Sequence, residues 1–239
     1  MKLLVTGDMH ADIFLFKRIV EDMGKNEILL IAGDFGMFWF DTESRMEKYR
    51  IINNMLEEKN SYVAFVDGNH EQHNYINSQK IEEFCGAKCH KLMNRIIHII
   101  RGEILNIEGT TIFCFGGAYS IDRSWRELDK TYFESELPSK EEYENGRINL
   151  ERVGMKVDYI LTHTCPINYI NMLGARHRTC EEEELQEYIQ WVIDNVDYKK
   201  HYFGHWHMDK IMDNKEVVVF HELRDMETSD VIETYWRIV

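Results

Sequence analysis

Three largely apolar runs, Lys2–Thr6, Glu27–Ala32 and Tyr62–Val66, alternate with two segments of helical periodicity, and this alternation restricts the fold more than any other feature. Short runs with little polar interruption suit strands buried on both faces of a parallel sheet. Between them, Asp12 to Met23 carries Phe16, Ile19, Val20 and Met23 at helical spacing and stops at Gly24, a helix-ending signal. Glu43 to Lys59 places Met46, Tyr49, Ile52 and Leu56 along one helical face. A βαβαβ order implies right-handed crossovers and a parallel sheet.

The rest of the chain changes style. Ile96–Ile100, Glu103–Ile107 and Thr110–Phe115 predict short strands broken by Gly102 and Gly109, as in an antiparallel meander. Trp125 to Val153 is polar and predicted helical in part. Asp158–Thr162 reads as a buried strand, and Glu181–Val196 as a helix with Leu185, Tyr188, Ile189 and Val192 on one face. His201–Phe203, Lys210–Met212, Val217–Phe220 and Ile232–Val239 predict further strands, with Asp213-Asn214-Lys215 as a tight turn. The only prolines are Pro138 and Pro166, and no linker or repeat is visible, so residues 1–239 are expected to form a single domain. Two strand-rich halves with helices outside suggest two sheets packed face to face.

Five of these predicted strands deliver metal-type ligands at their carboxyl ends. Lys2–Thr6 runs into Gly7-Asp8-Met9-His10, Glu27–Ala32 into Gly33-Asp34, and Tyr62–Val66 into Asp67-Gly68-Asn69-His70. Asp158–Thr162 ends in His163, and His201–Phe203 in Gly204-His205-Trp206-His207. That edge is where sites form in open α/β sheets. Carboxylates and imidazoles in this number suit two adjacent divalent ions, brought to roughly 3.5–4 Å by a shared ligand. Asp8 and His10 can chelate one ion if the turn curls back, and Asp34 on the neighbouring strand is the natural bridge. Mixed nitrogen and oxygen donors favour Mn, Fe or Zn over Ca or Mg, and manganese is the expected metal.

The ordered set DxH (Asp8, His10), GD (Asp34), GNH (Gly68, Asn69, His70), His163 and GHxH (His205, His207) resembles the calcineurin-like metallophosphoesterases, over residues 8 to 207. The resemblance implies an α/β fold: a four-layer α/β/β/α sandwich of two mixed sheets, with a dinuclear metal site at the strand C-terminal edge. It implies that Asp8, His10 and His207 hold one metal, that Asn69, His163 and His205 hold the second, and that Asp34 bridges both. His70 would be catalytic, assisting the leaving oxygen. The implied reaction is hydrolysis of phosphate mono- or diesters by in-line attack of a hydroxide bridging the two ions. Phosphoprotein phosphatases of this superfamily follow GD with a further Asp-Arg that grips phosphate. Here the stretch is Phe35-Gly36-Met37-Phe38-Trp39-Phe40, which reads either as core or interface packing or as a wall for a flat group. Arg123 and Arg126, in a segment following Gly116-Gly117, are candidates for phosphate contact; the alternative is a solvated, ion-paired loop. The segment GGAYSIDRSWR also resembles uncharacterised bacterial and phage members of the superfamily.

Charge narrows the substrate. Lys plus Arg is 28 against 42 Asp plus Glu, so 28 − 42 gives −14. That balance weighs against loose nucleic-acid binding, which draws on Lys and Arg, and against an anionic membrane surface. A small-molecule or nucleotide phosphoester is expected, ahead of DNA or RNA, a phosphoprotein, or a scaffold role without catalysis. No run approaches the ~20 apolar residues of a membrane span, Met1–Thr6 is too short for a signal peptide, and five cysteines without a regular framework suit reduced thiols in the cytoplasm. His73, His90, His98, His177, His201 and His221 are expected to be ordinary core or surface residues. The acidic run Glu181–Glu184 reads as a helix N-terminus, and Asp67 and Asp158 as supporting or capping residues. Oligomeric state is left open.

Overall fold

The computed structural model describes residues 1–39, 42–174 and 180–236; Phe40, His177 and the end of the last predicted strand, 237–239, lie outside them. The elements run β1 (Lys2–Thr6), α1 (Ile13–Asp22), β2 (Glu27–Ile31), α2 (Glu43–Glu58), β3 (Tyr62–Phe65), α3 (His73–Asn77), β4 (Ile81–Phe84), β5 (Ala87–Met93), β6 (Ile96–Ile99), β7 (Glu103–Ile107) and β8 (Thr110–Phe115). They continue through α4 (Lys140–Arg152), β9 (Tyr159–Thr162), α5 (Glu183–Asn195), β10 (Lys200–Phe203), β11 (Lys210–Ile211), β12 (Glu216–Val218), β13 (Glu222–Asp225) and β14 (Val231–Thr234).

The strands form two mixed sheets, ordered β14-β13-β1-β2-β3-β6-β5-β4 and β11-β12-β10-β9-β8-β7. Parallel pairing joins β1, β2, β3 and β6 in the first, and β12, β10, β9 and β8 in the second. Antiparallel strands flank both.

Strand alternation sorts the apolar residues into layers. Leu4, Leu29, Ile31, Val63 and Phe65 face outward under Phe16, Ile19 and Val20 of α1 and Tyr49, Ile52 and Leu56 of α2. Their neighbours Val5, Ile28, Leu30 and Ala64 face inward, sharing a core with Leu105, Ile112, Cys114, Leu161 and Tyr202 of the second sheet. On that sheet's far side Ile104, Phe113, Phe115 and Ile160 take Leu150 from α4 and Leu185, Tyr188 and Ile189 from α5. The result is the expected helix–sheet–sheet–helix stack. Each large side chain so buried contributes about 1.5–3 kcal/mol. Helix α1 starts where Asp12 accepts from the amides of Phe14 and Leu15, 3.0 Å each, so its cap lies two residues after His10. Losing that cap costs about 1 kcal/mol.

One expectation is corrected. The predicted meander is split between the sheets: β7 and β8 pair antiparallel in the second, but β6 lies parallel to β3 in the first. Arg101, just beyond β6, is ion-paired to Asp67 beyond β3, which ties those two strand ends together. All three runs are short and largely apolar, and nothing in their spacing says which sheet claims each. The sequence reading also lacked β4, β5 and β13. β4 is an exposed edge strand carrying Glu82 and Glu83, charges that protect an edge while hiding the strand.

Candidate metal and phosphate site

The five ligand-bearing turns meet where the sheet edges converge. His163 after β9 presents Nδ1 to the carbonyl of Ala32 after β2, at 2.7 Å. The amide of His205 after β10 donates to Oδ1 of Asp8 after β1, at 3.0 Å. Each contact links one sheet to the other.

Asp8, His10 and His207 form one group of converging donor atoms, Asp34, His163 and His205 a second, and His10, Asp34 and His70 a third that overlaps both. In the first, Asp8 Oδ2 is 3.2 Å from His207 Nε2 and 3.7 Å from His10 Nε2, and the two imidazole Nε2 atoms are 2.9 Å apart. In the second, His163 Nε2 is 3.3 Å from Asp34 Oδ1 and 3.3 Å from Asn69 Oδ1. Asp34 faces both groups, since its Oδ2 lies 3.9 Å from His10 Nδ1. Asn69 is turned by its Nδ2 donation to Ser120, 3.2 Å. His163 Nδ1 donates to a carbonyl, which leaves Nε2 as the nitrogen facing Asp34 and Asn69.

Two properties mark these turns as unusual backbone. His10, Asp34, His205 and His207 all have φ between 47° and 67°, a left-handed region costly for residues other than glycine. Gly68 and Gly204 allow the closest approaches. A Cβ on Gly68 would lie 2.2 Å from Asp34 Oδ1, and one on Gly204 2.2 Å from Asp8 Oδ1.

The electrostatics suit cations. Burial opposes ionisation of Asp34, but His163, His70 and His10 outweigh it and hold its carboxyl well below the usual range. Asp8 is likewise held down, against burial, by His207 and His163. Burial raises the cost of charging His163, yet Asp34 and Asp8 lift it to about 10. Burial pushes His10, His70 and His205 down. Asp8 Oδ2 is buried and makes no hydrogen bond of acceptable geometry. A buried carboxylate oxygen without a partner is costly, and this one converges with two imidazole nitrogens. The residues therefore fit divalent metal ions with mixed nitrogen and oxygen donors.

His70 lies at the rim. Its amide donates to Asp34 Oδ1, 2.7 Å, and its ring meets His10 edge-on at 4.9 Å between centroids. A cavity of about 320 Å³ opens beside it, lined by His10, Trp39, Arg45, His70, Arg126 and Thr131 among others. Arg126 thus reaches the site. Arg123 does not line this cavity: it is ion-paired to buried Glu136 at 2.9 Å and lies over the ring of Tyr119. In the aromatic stretch Phe35, Met37 and Phe38 are buried in the core, while Trp39 is half-buried and faces the cavity.

Sequence reasoning missed Arg45, whose only signal is its place at the start of α2. It also missed Glu71, which directly follows the GNH motif. Glu71 is buried and accepts from the amides of Phe35 and Gly36 at 2.7 and 3.0 Å, which fixes the loop after Asp34. The six remaining histidines fall as expected where described. His201 is buried between Glu216 and Thr162, and His73 holds the carbonyl of Gly68 at 2.9 Å.

A family model described as calcineurin-like phosphoesterase matches residues 1–209. No curated protein matches the sequence. Among solved structures the chain is similar in fold to TT1561 of Thermus thermophilus, at 14% identity, with 96% of each chain covered and a TM-score of 0.50. A phosphopantetheinyl hydrolase from Mycobacterium tuberculosis aligns at 15% identity and a TM-score of 0.46, covering 92% of this chain and 89% of that one.

Proposed function

This chain belongs to the calcineurin-like phosphoesterase family of metal-dependent hydrolases, and from that premise we propose that it hydrolyses phosphate mono- or diesters of small molecules or nucleotides. The observation that carries the reading is the position of Asp34, one of whose oxygens faces His163 and the other His10. In this reading Asp8, His10 and His207 hold one ion, Asn69, His163 and His205 hold the other, and Asp34 belongs to both. Bound divalent ions supply Lewis acidity and activate water near neutral pH. The mixed donor set suits Mn, Fe or Zn over Ca or Mg, and manganese is the metal we favour.

The chain's own residues do the rest. His70 stands beside the donor cluster and donates a hydrogen bond from its ring N–H to the departing oxygen. Arg126, against His70, grips a phosphoryl oxygen. Trp39 offers a face to a flat leaving group, and a cavity of about 320 Å³ suits a small ligand. Glu71 keeps the loop beneath them fixed.

A core shared by both sheets supports reading the chain as one catalytic domain. Among the described residues no helix is long and apolar enough to cross a membrane, and the five cysteines are unpaired, as suits a reducing cytoplasm.

The test is a screen of the Mn²⁺-loaded protein against mono- and diesters, nucleotides, dinucleoside polyphosphates and phosphopeptides, with His70→Ala alongside. Turnover of small esters that a chelator abolishes is expected, with His70→Ala losing turnover but keeping its metal. If Asp34→Ala neither lost metal nor slowed hydrolysis, the reading would fail.

A further inference from the structure

Glu182 lies outside every motif named above. It precedes α5 within the acidic run Glu181–Glu184, where a carboxylate ordinarily accepts from amides of the first helical turn. Its side chain makes no such bond. Glu182 is only 4% exposed, and its Oε1 has no hydrogen-bond partner. That oxygen instead faces His205 Nε2 at 3.9 Å. Cys165, fully buried next to the His163 turn, feels the same carboxylate, which together with burial pushes its thiol upward. The acid is therefore buried with one imidazole nitrogen in front of its unpartnered oxygen.

An isolated carboxylate in such a place costs several kcal/mol unless a donor or cation offsets it. His205 belongs to the donor group with Asp34 and His163. An imidazole has two nitrogens, and the outer one of a metal-binding histidine typically donates to a carboxylate, which sets its tautomer and ring orientation.

We propose that Glu182 is a positioning residue for His205: its carboxylate accepts the Nε2 proton and thereby leaves Nδ1 as the lone-pair nitrogen for the second ion. This rests on the metal-centre reading above. The 3.9 Å gap exceeds a direct hydrogen bond, and a small side-chain rotation would close it. Positive charge on the other side of the ring strengthens the N–H as a donor, so the pairing and the ion support each other. Without an ion, the carboxylate is a burden on the fold.

That asymmetry gives the test. Glu182→Met keeps the volume and removes the acceptor; Glu182→Gln keeps an acceptor oxygen and removes the charge. Titrating each metal-free protein with Mn²⁺ should show one of two binding steps weakened roughly 10–100-fold in Glu182→Met, and less in Glu182→Gln. Melting temperatures of the metal-free variants should equal or exceed that of the wild type. Nitrogen-15 spectra of metal-free protein should show His205 protonated at Nε2 in the wild type and a mixed tautomer in Glu182→Met. Two tight Mn²⁺ steps in both wild type and Glu182→Met, or a lower melting temperature with unchanged Mn²⁺ affinity, would overturn the inference and leave the metal centre intact. A wild type that binds no Mn²⁺ would overturn the metal-centre reading and this inference with it.

Discussion

The guanidinium of Arg126 lies against the imidazole of His70, with Nη2 3.2 Å from Nε2 and 3.3 Å from Nδ1. Near-equal distances mean a contact with the ring as a whole. Arg126 is fixed there from behind: Nε donates to Asp122 at 2.8 Å and Nη1 to the carbonyl of Thr131 at 3.2 Å. A cation held beside the candidate hydrogen-bond donor, at the mouth of the cavity, is placed to bind phosphoryl oxygen and to disfavour a second positive charge on His70. Arg126→Ala is expected to lower kcat/KM for an aryl phosphate about 100-fold, in line with loss of one fixed donor to developing charge. Arg126→Lys should recover only part, because an ammonium cannot span both contacts. Unchanged kinetics in Arg126→Ala would remove Arg126 from the site.

Arg123, three residues away, should behave in the opposite manner. Its partner Glu136 is fully buried and also accepts from the amides of Ser120 and Phe133. Arg123→Ala leaves that carboxylate without its cation and should cost about 3 kcal/mol of stability, read as a lower urea midpoint. KM of the folded fraction should stay within about twofold of wild type if Arg123 has no hold on substrate. A large rise in KM at unchanged stability would return Arg123 to the phosphate-binding group.

The contrast shows what a sequence of this kind discloses. The alternation of Leu4/Val5 and Ile28/Leu29/Leu30/Ile31 announces strands buried on both faces, and the turns after them bear the candidate ligands, because a strand's end is set by local chemistry. Asp8, Asp34 and His163 were legible for that reason. Arg123 and Arg126 are equivalent in sequence; only the packing of the loop decides that one meets Glu136 and the other His70. Glu182 was read as a helix-end acid because its distance to His205 depends on how α5 docks on the second sheet. The placement of β6 was hidden in the same way, since sheet membership is a tertiary choice among short, largely apolar runs.

Gly68 offers a steric test of the metal-centre reading. Its missing Cβ would fall 2.2 Å from Asp34 Oδ1, 2.5 Å from Asp34 N and 2.7 Å from His163 Nε2. Backbone and two donor side chains cannot all yield to a methyl group, and displacements near 1 Å at a reacting centre cost about 100-fold in rate. Gly68→Ala should therefore lose at least about tenfold in Mn²⁺ affinity and about 100-fold in turnover. Preserved metal binding in a folded Gly68→Ala protein would show that Asp34 and His163 are not joint ligands.

A final prediction concerns acid stability, away from the donor cluster. Burial, with His98 stacked beside it at 3.1 Å between Nδ1 atoms, lowers the His90 imidazole from 6.5 to about 4. As pH falls, the unfolded chain takes up this proton before the folded one, so ν in the unfolded state exceeds ν in the native state and stability declines with falling pH. The contribution is complete above pH 6.5 and is lost progressively down to about pH 4. At about 1.4 kcal/mol per pH unit, the loss by pH 4.5 is on the order of 2 kcal/mol. His90→Gln cannot titrate, so the stability difference between wild type and variant should shrink by roughly that amount between about pH 7 and 4.5. Urea unfolding of both proteins at the two pH values measures it. A difference that stays constant would mean that His90 binds its proton equally well folded and unfolded.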